Sequence, residues 1–103
     1  MLEGEYANHL ADVLSALGNP TRLKIVLFVA ETKKPLHIKA IAQMLRKEYA
    51  TVYRHVRILQ ENGILGIYEV GRSRVLYLHD LALVERIIEF AKYLATKKQN
   101  KLN

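Results

Sequence analysis

The sequence predicts a mainly α-helical domain carrying one small β-hairpin, in the order helix, helix, helix, helix, hairpin, helix. Three observations lead to this reading. Apolar residues recur at three- and four-residue spacing along most of the 103 positions, the period of helices that bury one face. Two runs rich in strand formers, ILGIYEV and RVLYLH, are joined by Gly71-Arg72-Ser73, the layout of a hairpin. Helix punctuators stand between these stretches at Gly18, Asn19-Pro20, Asn62-Gly63 and Asp80. With no internal repeat and no low-complexity linker, residues 1–103 read as a single domain.

Each element has its own signal. Residues 5–17 set Tyr6, Leu10, Val13, Leu14 and Leu17 on one stripe, and Gly18 ends that helix. Asn19-Pro20 starts the next: asparagine accepts from the new helix's first amides, and proline suits its first position. The run LKIVLFVA is apolar nearly all round, so the second helix belongs at the buried centre. Lys33-Lys34-Pro35 stops it, because proline disfavours helix at the residue before it. Ile38, Ile41, Ala42 and Leu45 outline a short amphipathic helix over about 38–46, and another runs over about 49–62 to an Asn62-Gly63 C-cap. Two short helices joined by a tight turn, the second basic on its outer side, make a helix-turn-helix pattern. After the hairpin, Asp80 caps a last helix running to about residue 97.

Composition excludes several classes. With no cysteine there is no disulfide framework, thiolate metal site or cysteine nucleophile. MLEGEYANHL has neither the basic nor the apolar region of a signal peptide, and no apolar run approaches the ~18 residues of a membrane span. A cytoplasmic protein is expected. No Gly-rich phosphate loop or carboxylate pair in an evident cleft points to an enzyme. The histidines, at 9, 37, 55 and 79, show no metal-ligand spacing.

The net charge of +6 points to polyanionic partners. Its location is more telling. Between residues 33 and 57 stand Lys33, Lys34, Lys39, Arg46, Lys47, Arg54 and Arg57 against Glu48 alone, a local excess equal to that of the whole chain. A basic middle between near-neutral ends is the layout of a nucleic-acid-binding face. The tail TKKQNKLN is a second basic patch, suited to an accessory phosphate contact.

A helix advances about 100° per residue, so Val52, Val56 and Leu59 of the second short helix face the core, with His55 wedged between core and solvent. Ala50, Tyr53, Arg54 and Arg57 lie opposite, with Tyr49 at the edge of their arc. A recognition helix needs this set: arginine bonds the paired acceptors of guanine, tyrosine hydroxyls reach bases or phosphates, and alanine permits close approach and thymine-methyl contact. Arg54 and Arg57 are expected to stand without a neutralising acid one turn away. Thr51, Lys39, Lys47, Arg72 and Arg74 complete the candidate DNA contacts, the last two on the hairpin.

From Ala16 to about Leu94 the chain resembles the ArsR-type winged helix-turn-helix repressors. Three stretches carry the likeness: ALGNPTRLKIV at the opening of the second helix, ATVYRHVRILQENGIL in the recognition helix, and IYEVGRSRVLYL in the wing hairpin. The resemblance implies a homodimeric transcriptional repressor whose first and last helices form the interface. It places base contacts at Tyr49, Ala50, Tyr53 and Arg54, where family members often carry small polar residues. It also marks a departure. Metal-responsive members have a Cys-x-Cys pair where this chain has His37 and Lys39, and an ammonium offers no lone pair to a metal. A second familiar site needs ligands along the last helix, where Phe90 and Tyr93 stand instead. No metal and no cofactor is expected, and the residues name no effector.

The function expected is therefore a dimeric, sequence-specific regulator of double-stranded DNA that recognises an inverted repeat and represses by occlusion. The alternative is a winged-helix module used for non-specific chromatin architecture, RNA binding or protein docking. The dimer is expected from the last helix. Leu81, Val84, Ile88, Ala91 and Ala95 form a core-facing stripe, and Leu83, Ile87, Phe90 and Leu94 a second one that has no core left to face. Leu10 and Leu14 of the first helix are its companions.

Overall fold

The computed structural model describes residues 4–32 and 34–102; Lys33, counted above in the basic stretch, lies outside the described residues. Helices α1 (Gly4–Leu17) and α2 (Pro20–Thr32) lead into a short strand β1 (Leu36–His37). Helices α3 (Ile38–Leu45) and α4 (Tyr49–Glu61), strands β2 (Leu65–Val70) and β3 (Ser73–Leu78), and helix α5 (Leu81–Leu102) follow. The hairpin expected from the sequence is present and gains a third strand: β1 pairs antiparallel with β3, Leu36 opposite Leu76 and His37 opposite Val75.

Local chemistry explains the boundaries. The Gly18 amide closes α1 on the Leu14 carbonyl at 2.8 Å. Asn19 Oδ1 accepts from the Arg22 amide at 3.1 Å, an N-cap with Pro20 at the first helical position. Helix α4 ends in a Schellman motif, with Gly63 at φ 72° and the Gly63 and Ile64 amides donating to the Gln60 and Leu59 carbonyls. Asp80 Oδ1 takes the Leu83 amide at 3.0 Å and caps α5. In the wing, Val70 faces Ser73 across a two-residue turn in which Gly71 has φ 61°, as a type II′ hairpin requires at its first central residue. The turn between α3 and α4 uses no glycine. Arg46 itself adopts φ 55°, and the Lys47 amide bonds the Ala42 carbonyl at 3.0 Å.

The core gathers Ile25 and Val26 of α2, Ile38 and Ile41 of α3, Val52, Val56 and Leu59 of α4, and Leu65 and Leu76 of the sheet. The all-round apolar α2 sits among these elements, as its sequence requires. Helix α5 departs from expectation in two respects. It continues to Leu102. Its core-facing stripe also ends early: Val84 is buried, Leu81 and Ile88 are half-buried, but Ala91 and Ala95 are exposed. The reason is geometric: α5 runs on past the core, and its described residues beyond Ile88 are all exposed. The projection shows in a radius of gyration of 15.0 Å, against about 13 Å for a compact chain of this size.

Candidate nucleic-acid interface

Helix α4 is held by its inner face. Val52, Val56 and Leu59 are buried, which fixes the opposite face toward solvent. At that face Ala50 and Arg54 are exposed, Tyr49 is more than a third exposed, and Thr51 is half-buried. Among the described residues Arg54 has no hydrogen-bond or ion-pair partner, so its guanidinium is available to an external acceptor. Lys39 on α3, Lys47 in the turn and Arg72 at the wing tip are all exposed. Of the basic stretch read from the sequence, Lys39, Arg46, Lys47, Arg54 and Arg57 lie on α3, α4 and their turn, Lys34 precedes β1, and the wing adds Arg72.

Three expected contacts differ from the reading of the sequence. Arg57 is not free: its Nη2 lies 3.8 Å from Glu61 Oε1, one helical turn on, and its Nη1 donates to the Tyr53 hydroxyl at 3.5 Å. Tyr53, expected opposite the core, is half-buried and packs against the core cluster. Its ring stacks on Tyr49 with centroids 6.3 Å apart and planes 19° apart. Arg74, expected to reach outward from the wing, instead lays its guanidinium over Tyr53, 4.4 Å from the ring centroid. The neighbouring Tyr49 and Tyr53 side chains shift the Arg74 pKa upward.

Arg22 is a positioning residue that the sequence reading passed over, although it closes the Asn-Pro-Thr-Arg motif. Its Nε donates to the Ala16 carbonyl at 2.7 Å, its Nη2 to the Ser15 carbonyl at 3.3 Å, and its Nη1 meets His55 Nδ1 at 3.1 Å. One guanidinium thus ties the end of α1 and the start of α2 to the recognition helix. Because arginine only donates, Nδ1 must be the unprotonated acceptor of a neutral imidazole. His55 is wedged as expected. Burial holds its pKa below the usual 6.5, and the nearby charges of Arg22, Lys47 and Arg54 lower it further.

A stability prediction follows from that imidazole. The unfolded chain binds the proton near pH 6.5 and the folded chain binds it more weakly, so protonation favours unfolding. Stability from this group is full above about pH 6.5 and falls as the pH drops through the depressed folded value. In His55→Asn, Oδ1 can accept from Arg22 in place of Nδ1 and does not titrate. Thermal melts from neutral pH downward should show a flatter decline for the variant than for the parent protein.

The other candidate surface is apolar. Leu10, Leu14, Leu83, Ile87, Phe90 and Leu94 are all exposed, Leu14 and Phe90 by about two thirds at 67% and 65%. Between α1, α2 and α5 lies a cavity of about 360 Å³, lined by Val13, Leu14, Leu17, Leu83, Ile87 and Ala91 among others. Its polar neighbours Asp80 and Asn62 already serve as helix caps, to the Leu83 amide and the Ile58 carbonyl. Among the described residues no group of three or more His, Asp or Glu is placed to hold a metal, and no single helix is long and apolar enough to cross a membrane.

Known proteins share this architecture. The model of the family HVO_A0114 matches residues 18–80. An uncharacterized HTH-type transcriptional regulator, MJ1325 of Methanocaldococcus jannaschii, is 32% identical over 82 residues, 80% of this chain and 86% of that protein. The HTH-type transcriptional regulator NmtR of Mycobacterium tuberculosis is 28% identical over 88 residues, 85% of this chain and 72% of that protein. Among solved structures, the homodimeric winged helix-turn-helix DNA-binding domain Mb0332 of Mycobacterium bovis, described as a possible ArsR-family regulator, superposes with a TM-score of 0.77. The match has 20% identity and covers 92% of this chain and 85% of that one. These relatives are transcriptional regulators and not enzymes. With a family model spanning most of the chain and a relative aligned over four fifths of it, the chain belongs to the HVO_A0114 family, among the HTH-type transcriptional regulators, and it has the winged helix-turn-helix fold.

Proposed function

We propose that the protein is a homodimeric repressor that works in the cytoplasm by occluding an inverted-repeat operator in double-stranded DNA. One observation carries the reading: the solvent side of α4 combines Arg54, unpartnered among the described residues, with a small Ala50 and the Tyr49 ring, flanked by Lys39, Lys47 and Arg72. Arg54 is the base-reading group, because a guanidinium matches the two acceptors of guanine in the major groove. Ala50 and Tyr49 supply apolar contact and close approach, while Thr51, Tyr53 and Arg57 edge the same surface. Lys39, Lys47 and Arg72 meet phosphates and set the register. The exposed apolar residues of α1 and α5 supply the dimer face, and the Mb0332 domain, similar in fold, is described as homodimeric. Residues 1–103 then act as one DNA-binding domain with a dimerising helix near each end. Two-fold symmetry sets the recognition helices about 34 Å apart, so half-sites are centred about one helical turn apart.

The test is selection of duplexes from a random pool, followed by titration of the winner and a scrambled control at one salt concentration. Preference for an inverted repeat supports the reading. Equal affinity for both duplexes would return the protein to non-specific architecture. Arg54→Ala should then cost roughly 1–3 kcal/mol and relax the preference at one position per half-site, with melting temperature unchanged because the side chain is exposed. Re-selection with the variant reads out that relaxed position.

A further inference from the structure

Arg74 stands apart from the other basic residues of the candidate interface. The outer part of the wing is exposed from Tyr68 through Arg72, so the core does not hold it. Arg74 reaches back from that region. Its guanidinium carbon is 4.4 Å from the Tyr53 ring centroid, and its Nε lies 4.0 Å from Glu69 Oε1, its partner across the hairpin. Tyr53 belongs to two bodies at once: it packs against the buried core and stacks on Tyr49 at the exposed start of α4. Its hydroxyl is engaged by Arg57 at 3.5 Å. The wing arginine is therefore seated on a recognition-helix ring that is itself held in place by the core.

We infer that Arg74 is a latch that sets the angle between the wing and the recognition helix, and that its role in binding is to position Arg72 rather than to contact nucleic acid. The inference rests on the proposed DNA-binding role, but its first readout does not. A guanidinium latches because it is planar and lies flat on an aromatic face; a lysine ammonium keeps the charge and loses the plane. A phosphate contact makes the opposite demand, since phosphate accepts either cation. Lysine therefore separates the two roles.

The experiment compares the parent protein with Arg74→Lys, Arg74→Leu and Tyr53→Leu, after circular dichroism has shown the same helix content in each. In the free proteins, ¹⁵N relaxation of Val70 to Ser73 should show rigid amides in the parent, with order parameters near ~0.85, and values falling toward ~0.6 in all three variants. On the selected duplex, Arg74→Leu should weaken binding by about fivefold, the size of one exposed cation–π contact, and Arg74→Lys by part of that, because an ammonium keeps the charge over the ring and loses the stacked plane. In an Arg72→Ala background Arg74→Leu should add nothing, because the latch acts through the wing tip. Wing amides that stay rigid in Arg74→Leu overturn the inference. So does full affinity in Arg74→Lys, or a loss that multiplies with that of Arg72→Ala, since either marks a direct phosphate contact. If the parent protein selects no duplex, the DNA reading fails, and the relaxation data still decide the latch.

Discussion

Phe90→Glu should convert a dimer into a monomer and lower operator affinity by about 10²–10⁴-fold, the avidity lost when two linked half-site contacts become one. Phe90 is 65% exposed in the protomer, so its removal opens no cavity in the folded chain. Placing a carboxylate there would bury an unpaired charge in the proposed interface, which association cannot tolerate. Sedimentation should give a mass near 11.8 kDa for the variant and about twice that for the parent protein. The thermal transition of the isolated domain should survive, because the core of α2, α3 and α4 does not include Phe90. A parent protein that sediments as a monomer would remove the basis for the inverted repeat. A variant that remains dimeric would move the interface away from this part of α5.

The charge and apolar surfaces differ in how openly the sequence showed them. Signals that act over one helical turn were legible: Gly18 with Asn19-Pro20, the Asn62-Gly63 end of α4, and the Asp80 cap all sit where the chain's own chemistry places them. The Arg57–Glu61 pair was equally local, at i and i+4, and was readable from spacing. Strand β1 was not. Two residues, Leu36 and His37, carry no period, and their pairing depends on Val75 and Leu76 far along the chain. The left-handed Arg46 escaped for a related reason, since no glycine marks the turn between α3 and α4.

Periodicity also has a limit on α5. It showed that Ala91 and Ala95 share a stripe with Val84, but whether a core lies beside that stripe is a property of the assembled domain. That domain ends before them. The candidate interface divides in the same way. Arg54 and Ala50 were placed by helical arithmetic alone, because only the axis of α4 matters for which side they occupy. Tyr53 and Arg74 were placed as two independent outward groups, and the contact that joins them runs between a helix and a hairpin. No spacing rule reports such a contact. The same holds for Arg22, whose motif was noticed for the helix start it marks, while its reach to His55 appears only once α2 and α4 are packed.

Salt should control binding more strongly than any single substitution in the DNA-binding face. The exposed Lys39, Arg46, Lys47 and Arg72 supply about four cations per subunit, hence about eight phosphate contacts per dimer. Each phosphate neutralised releases condensed counterions from the duplex, so log affinity should fall against log salt with a slope near −7. Between about 50 and 200 mM salt that amounts to a loss of roughly 10⁴-fold. Arg72→Ala removes one phosphate contact from each wing, so its slope should be shallower by about 2 and its weakening similar for every sequence. Arg54→Ala should weaken binding mainly by changing which sequence is preferred, because a base contact carries sequence information and a phosphate contact does not. The measurement is fluorescence anisotropy on selected and scrambled duplexes across that salt range, for the parent protein and both variants. A slope near zero would rule out backbone recognition of duplex DNA. A slope that Arg72→Ala leaves unchanged would take the wing tip off the phosphates and leave α3, α4 and the turn between them to carry the whole electrostatic contact.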